Sequence, residues 1–415
     1  MHSANEPVSE LQDQSQWLNW PLLILIALVP LQNIYLGKIP SFGAGINILN
    51  ILMVFAFMAA SSRSETSYVS PINRYILYLI LSYILSLFVS ALVMGWDESK
   101  LYILKDMFFA YLFFFVTYKS LTGMRAVKAI FLATVIPLPY MFKVFYTNLS
   151  WMGFSTYQDK LRLNSGTFMQ LGSNEIAAFY ASYTFMALAF ALVEQGKKLK
   201  VFLFLCVAMN LYSLLYTFSR GAYLSLMVGV VVLCWYYRKI PLLLVGVSII
   251  FGLLVLDFDV FPKAVTERFN STFVEDEQLD DSAQKRKILW GIALEKFQEN
   301  PLVGVGFNNF KKMNEFGLDT HNYYVKLLAE GGVVCFISFL LFLGACFRRG
   351  LALLKNSQDE FSLKLAIGFL ACISAIIVGN FFGDRFTHYP LISYLFIYLA
   401  IVTKVDANAL IVQKQ

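Results

Sequence analysis

Three short segments put ionisable side chains at the edges of apolar sequence. In Thr217-Phe218-Ser219-Arg220-Gly221-Ala222-Tyr223, Arg220 stands in a tight turn between two apolar runs. Gly221 lets the chain turn, and Ala222 lets helices approach closely. A guanidinium fixed there has a planar fork that can grip a phosphate bidentately. The alternatives are snorkelling to a membrane interface or pairing with a carboxylate. The second segment is amphipathic, residues 286–298, with Leu289, Ile292, Ala293 and Phe297 at helical spacing and Arg286 in its first turn. Arg286 either reaches into the space beneath this helix or belongs to a solvated basic end, with Lys285 and Lys287, facing Glu275, Asp276, Glu277, Asp280 and Asp281. The third is Thr320-His321-Asn322-Tyr323-Tyr324. An imidazole there can take or give a proton near neutral pH, or simply hydrogen-bond at an interface.

Further ionisable residues surround these three. Glu330 follows His321 into an apolar run, where a charged group must be paired or line a cavity. Arg162…Gly166-Thr167-Phe168…Asn174 and Gly383-Asp384-Arg385-Phe386-Thr387-His388 are smaller signals, and Asp384 and Arg385 are expected to pair with each other or to serve a substrate. Arginines that neutralise a leaving group and a histidine that assists a hydroxyl suit a pyrophosphate-bearing lipid. No paired-aspartate metal motif lies near them, and no CxxC or Cys/His cluster suggests a metal or other cofactor. Cys206, Cys234, Cys335, Cys346 and Cys372 all sit inside apolar runs and read as small buried hydrophobes.

The elements that must position these groups are membrane helices. Of 415 residues, 58% are hydrophobic and 14% charged, with mean hydropathy +0.62; a soluble domain carries about a quarter charged residues. The 39 Phe and 23 Tyr suit a lipid-facing protein with aromatic belts. This composition gives no reason to expect a nucleic-acid partner. Residues 1–17 are polar and acidic and lack the basic start of a cleavable signal.

A hydrocarbon core about 30 Å thick needs about 20 apolar residues in helix. Twelve such runs are read: 18–34, 43–60, 73–95, 101–118, 124–146, 174–194, 199–217, 221–237, 240–257, 323–347, 360–382 and 390–404. The expected protein is therefore all-α and polytopic. A tail (1–17) precedes nine spans (18–257, with a loop at 147–173). A large loop carrying short helices (258–322), three further spans (323–404) and a second tail (405–415) follow.

Basic residues fix the orientation. Arg74, Lys128, Lys197, Lys198, Arg348 and Arg349 fall in loops on the side of the termini, whereas the short loops opposite carry only Lys38, Lys100, Arg220 and Arg385. Both termini are expected in the cytoplasm and both long loops outside. Twelve spans with cytoplasmic termini also describe many secondary transporters and flippases. Those, however, often show internal repeats and midplane sites, while here the ionisable residues gather at one surface and the halves differ.

Ser219-Arg220-Gly221-Ala222, Arg286…Trp290, Pro301-Leu302-Val303-Gly304-Val305-Gly306 and His321-Asn322 with Gly332 resemble the signature of the O-antigen ligase/polymerase superfamily. The Arg162…Asn174 stretch is similar too, so the likeness covers roughly residues 160–345. It implies metal-independent, inverting transfer of a glycan from undecaprenyl diphosphate to an acceptor hydroxyl, at the periplasmic face of the bacterial inner membrane. Arg220 and Arg286 would bind the diphosphate and His321 would activate or orient the acceptor. Arg162, Asn174, Asn322, Glu330 and Arg385 are further candidate substrate contacts. A ligase would place O-antigen on lipid A-core in lipopolysaccharide biosynthesis, whereas a polymerase would join repeat units of an O-antigen or exopolysaccharide. The ligase histidine motif ends in Gly, Thr or Tyr where this chain has Cys335.

Overall fold

The computed structural model describes residues 17–34, 37–38, 47–62, 70–152, 167, 172–238 and 281–412. Eight helical segments are long and apolar enough to cross a membrane: Ile72–Met94, Glu98–Ser120, Met124–Trp151, Ser173–Val193, Lys197–Leu215, Tyr323–Asn356, Glu360–Gly379 and Tyr389–Ala407. Three shorter apolar helices, Trp20–Leu31, Ile48–Ser61 and Arg220–Tyr236, fall on three more of the twelve runs. The run at 240–257 lies outside the described residues, as do Arg162 and most of the acidic stretch.

In chain order the helices are α1 (Trp20–Leu28), α2 (Ile48–Ser61), α3 (Ile72–Met94), α4 (Glu98–Ser120), α5 (Met124–Val135), α6 (Leu138–Met152) and α7 (Ser173–Val193). They continue as α8 (Lys197–Leu215), α9 (Arg220–Tyr236), α10 (Asp281–Glu299), α11 (Phe310–Met313), α12 (Tyr323–Asn356), α13 (Glu360–Gly379) and α14 (Tyr389–Val412). Among the described residues the only strands are Asn33–Ile34 and Gly37–Lys38, a two-rung antiparallel pair. The protein is an all-α polytopic membrane protein.

Two prolines explain local breaks. Pro30 falls in a 3₁₀ turn, Val29–Leu31, at the end of α1, and Pro137 sits between α5 and α6 within one apolar segment. Proline lacks the donor that helix continuation needs.

Helices α7, α13 and α14 are the most buried of the spans. α7 packs on α8 and α9, α13 packs on α7 and α9, and α14 packs on α4. Beside them α12 packs on α3. Outward faces remain apolar: Leu77, Leu81, Phe88 and Leu92 of α3 are all at least half exposed. In lipid those side chains carry no penalty, so the bundle is held by close packing instead. Gly229 of α9, where a side chain would collide with Phe185, and Gly368 of α13, where one would meet Ala189, show how near the backbones approach.

The described part of the large loop, 281–322, folds back onto one end of this bundle. Leu289 and Ala293 of α10 bury against Phe310 and Ala329, so the apolar stripe of α10 faces protein. At the other end Asn19 donates to Ser120 Oγ (3.0 Å), and the Lys404 ammonium lies 5.1 Å from the Tyr118 ring centroid. The start of the first helix and the last helix thus both contact the end of α4 there.

Candidate active site

Helix α12 is broken where it enters the bundle. Gly332 has φ 60° and ψ −163°, a conformation essentially reserved for glycine. The break orphans backbone groups, and each unsatisfied one costs about 1–3 kcal/mol when buried. The segment Pro301–Gly306 replaces the lost partners. Val305 and Gly306 N–H donate to the carbonyls of Ala329 and Glu330 at 2.8 and 2.9 Å. Val333 and Val334 N–H donate to Pro301 and Leu302 at 2.9 and 3.2 Å. A side chain on Gly304 would strike the Glu330 backbone, and one on Gly332 would strike Leu302. The glycines of this motif therefore permit a loop to be threaded into a helix.

A cavity of about 300 Å³ opens beside the break. Its walls include Tyr83 and Ser86 of α3, Glu175 of α7, Asp319, His321, Lys326 and Glu330 around the start of α12, and Asp384 and His388 of the 380–388 loop. Tyr83 and Tyr323 share a short hydroxyl–hydroxyl contact. Glu330 accepts the N–H groups of Asn308 (3.0 Å) and Phe310 (3.2 Å), so its carboxylate is satisfied at the cavity edge.

His321 itself is held in the left-handed region at φ 52°, uncommon for a non-glycine residue. Asn322 behind it caps α12, its side chain accepting Tyr324 N–H (3.0 Å) and Val325 N–H (3.2 Å). Trp290 Nε1 donates to the Thr320 carbonyl at 2.8 Å and so ties α10 to the histidine turn. The imidazole reaches solvent, yet partial burial and then the Arg286 charge press its pKa below the ordinary value, against Asp319 and Glu175. The Arg286 charge thus acts on His321, although the two residues are distant in sequence.

Arg220 begins α9. A side chain on Gly221 would come within 2.5 Å of Phe382, so this turn abuts the loop that carries Asp384, Arg385 and His388. Asn174 lies in the first turn of α7, beside Glu175. The structure thus gathers Arg220, Asn174, Arg286, His321, Asn322, Glu330 and Arg385 at one end of the bundle, while Arg162 lies outside the described residues.

One pairing and one placement differ from expectation. Asp384 and Arg385 do not pair with each other: Arg385 meets Glu175, and Asp384 lies 2.7 Å from Lys326 Nζ, which also holds Asp319 at 2.7 Å. Adjacent residues in this extended loop point in opposite directions, so sequence neighbours have separate partners. Burial would raise the Asp384 carboxyl, but Lys326 and then His388 outweigh it and hold it below the ordinary range. Lys100, counted as an outer-loop cation, is instead a buried member of the first turn of α4, bonded to Ser90 Oγ (2.5 Å) and to Asn309.

Lys326, Glu175 and Asp319 carry no motif, and sequence reading passed over them. A lysine and an acid in the opening turns of apolar helices were the available signals. Among the described residues no group of three or more His, Cys, Asp or Glu side chains is placed to hold a metal ion.

Fold and site together define a polytopic membrane protein with a cavity at one end, walled by carboxylates, two imidazoles and lysines. Residues 202–340, from α8 to the middle of α12, match the family model described as O-antigen ligase. No curated protein matches the chain.

Proposed function

We propose that the protein transfers a glycan from undecaprenyl diphosphate to an acceptor hydroxyl at the periplasmic face of the bacterial inner membrane. The observation that carries this reading is that Trp290 ties the helix of Arg286 to the turn of His321 at the edge of the cavity, within the family-matched segment. Arg220 and Arg286 bind the diphosphate and take up its developing charge. His321, kept neutral at pH 7 by its depressed pKa, accepts the hydroxyl proton. The acceptor oxygen bonds to the anomeric carbon from the face opposite the diphosphate. The carbon–oxygen bond to phosphate breaks with its electron pair leaving on the diphosphate. One displacement inverts the anomeric centre.

The carboxylates nearby are already engaged: Asp319 and Asp384 by Lys326, Glu175 by Arg385, Glu330 by backbone N–H groups. That arrangement supports cationic side chains, rather than a divalent ion, as the leaving-group stabiliser.

A ligase-type acceptor, a lipid A-core sugar, is the leading reading. Cys335, where the ligase motif has Gly, Thr or Tyr, favours the second, a repeat-unit polymerase. Cys335 is buried against α3, with Sγ 3.2 Å from the Ser82 carbonyl. Deleting the gene separates them: loss of a ligase leaves carrier-linked polymer, loss of a polymerase leaves single repeats. The parent reading is tested with purified protein and lipid-linked donor. Arg220→Ala, Arg286→Ala and His321→Ala should each abolish transfer, and retention by all three defeats the assignment.

A further inference from the structure

At the end of the bundle away from the cavity, two arginines converge on one tyrosine. Arg74 Nη2 donates to Tyr75 Oη at 2.9 Å and Arg348 Nη2 donates to the same oxygen at 3.0 Å. Their guanidinium carbons lie 4.8 and 5.4 Å from the Tyr75 ring centroid. Both arginines are exposed. Among the described residues neither pairs with a carboxylate, although Arg349 next door is paired with Asp406 at 3.1 Å.

This arrangement is electrostatically unfavourable as it stands. Two cations share one neutral acceptor. Arg74 also lies in the first turn of α3, which carries no acidic residue. A helix N-terminus is the positive end of its dipole, where an anion is favoured and a cation is not. An anion seated between the two guanidinium groups would offset all three terms and could take bidentate bonds from each.

The surroundings indicate which anion. Arg74, Tyr78 and Leu81 fall at helical spacing on one face of α3, and both apolar residues are about half exposed (48% and 52%). Ile337, Leu341, Gly344 and Arg348 form the matching stripe on α12, with Ile337 and Leu341 at 48% and 44%. A side chain added at Gly344 would meet nothing within 4 Å. Helices α3 and α12 pack together, so two open apolar stripes run from the arginine pair toward the bilayer centre. The opposite end of α3, where Ser90 bonds Asn309 beside the cavity, is about 24 Å away at 1.5 Å per residue.

We propose that Arg74, Arg348 and the N-terminus of α3 form a binding site for the phosphate of an anionic phospholipid, with its acyl chains lying along the α3 and α12 stripes. The site is independent of the transfer reaction. Basic pockets between transmembrane helices hold anionic headgroups by this combination of charge and apolar surface.

The test is native mass spectrometry of the full-length protein in mild detergent, titrated separately with phosphatidylglycerol and phosphatidylcholine. Wild-type protein should retain phosphatidylglycerol preferentially. Arg74→Gln/Arg348→Gln should weaken that retention by about fivefold for each arginine removed. Lys197→Gln/Lys198→Gln, which removes equal charge from the same end, should leave it unchanged. Equal retention by wild type and the arginine double variant would overturn the site. So would an equal loss in the lysine control, which would mean bulk charge alone. Inorganic phosphate at millimolar concentration should not displace the lipid from wild-type protein. Displacement would mean a free-anion site and would overturn the lipid assignment. Both arginines are exposed, so thermal unfolding of the double variant in detergent should match wild type.

Discussion

Trp290 Nε1 reaches 2.8 Å to the carbonyl of Thr320, the residue before His321. Through this bond the helix that carries Arg286 is indexed to the turn that carries the imidazole. The loop helix is thus part of the site's frame, and its displacement would separate Arg286 from His321.

Replacing His321 tests the base directly. His321→Ala should lower the transfer rate by about 10²–10⁴-fold, the usual contribution of a general base, with donor binding little changed. Steady-state transfer with purified lipid-linked donor and defined acceptor measures it. A variant within twofold of wild type would remove His321 from the mechanism.

The pH dependence has a definite sign. Burial and Arg286 hold the His321 imidazole below its ordinary value of about 6.5. The neutral, proton-accepting form therefore persists into mildly acidic solution, and the acid limb of the rate profile should fall below pH 6.5. Arg286→Ala removes a cation, so the His321 pKa should rise. The chain has three histidines, which makes NMR titration of labelled imidazoles practicable. A downward shift in the variant would contradict the geometry.

Lys326 neutralises two carboxylates from separate segments, Asp319 and Asp384. Lys326→Met would leave both carboxylates, partly buried near the cavity, without their lysine counter-charge. Breaking a buried pair costs about 3–5 kcal/mol, so the variant should unfold at markedly lower temperature by differential scanning fluorimetry. Adding Asp384→Asn should recover part of the loss. No recovery would mean that the lysine acts by packing alone.

Gly332→Ala probes the helix break. Its backbone lies in a region closed to side chains, and a Cβ would strike Leu302. Strain of about 1–3 kcal/mol comes from the backbone alone, and the collision adds to it. Size-exclusion chromatography in detergent should show aggregation or reduced yield. A well-folded, fully active variant would mean that the loop is not threaded as described.

Transfer should persist in EDTA, because the cavity carboxylates are committed to cations and backbone N–H groups. Dependence on added Mg²⁺ or Mn²⁺ would overturn leaving-group stabilisation by arginine.

The membrane helices were legible in the sequence because hydrocarbon selects residues one at a time, and a run of about 20 apolar residues has few other fates. Arg220, Arg286 and His321 were legible for the complementary reason: each is costly where it stands and sits beside a glycine, an apolar stripe or a re-entry point. Lys326 and Glu175 were not, since either reads as an ordinary charge near a helix start until its partner is known. The pairing of Arg385 with Glu175 rather than with its neighbour Asp384 joins residues far apart in the chain, and only helix packing brings them together. The tertiary structure likewise decided that Pro301–Gly306 fills the break in α12. Local propensity can end a helix at Pro301 and loosen one at Gly332, but the hydrogen bonds between those two sites exist only once both are folded.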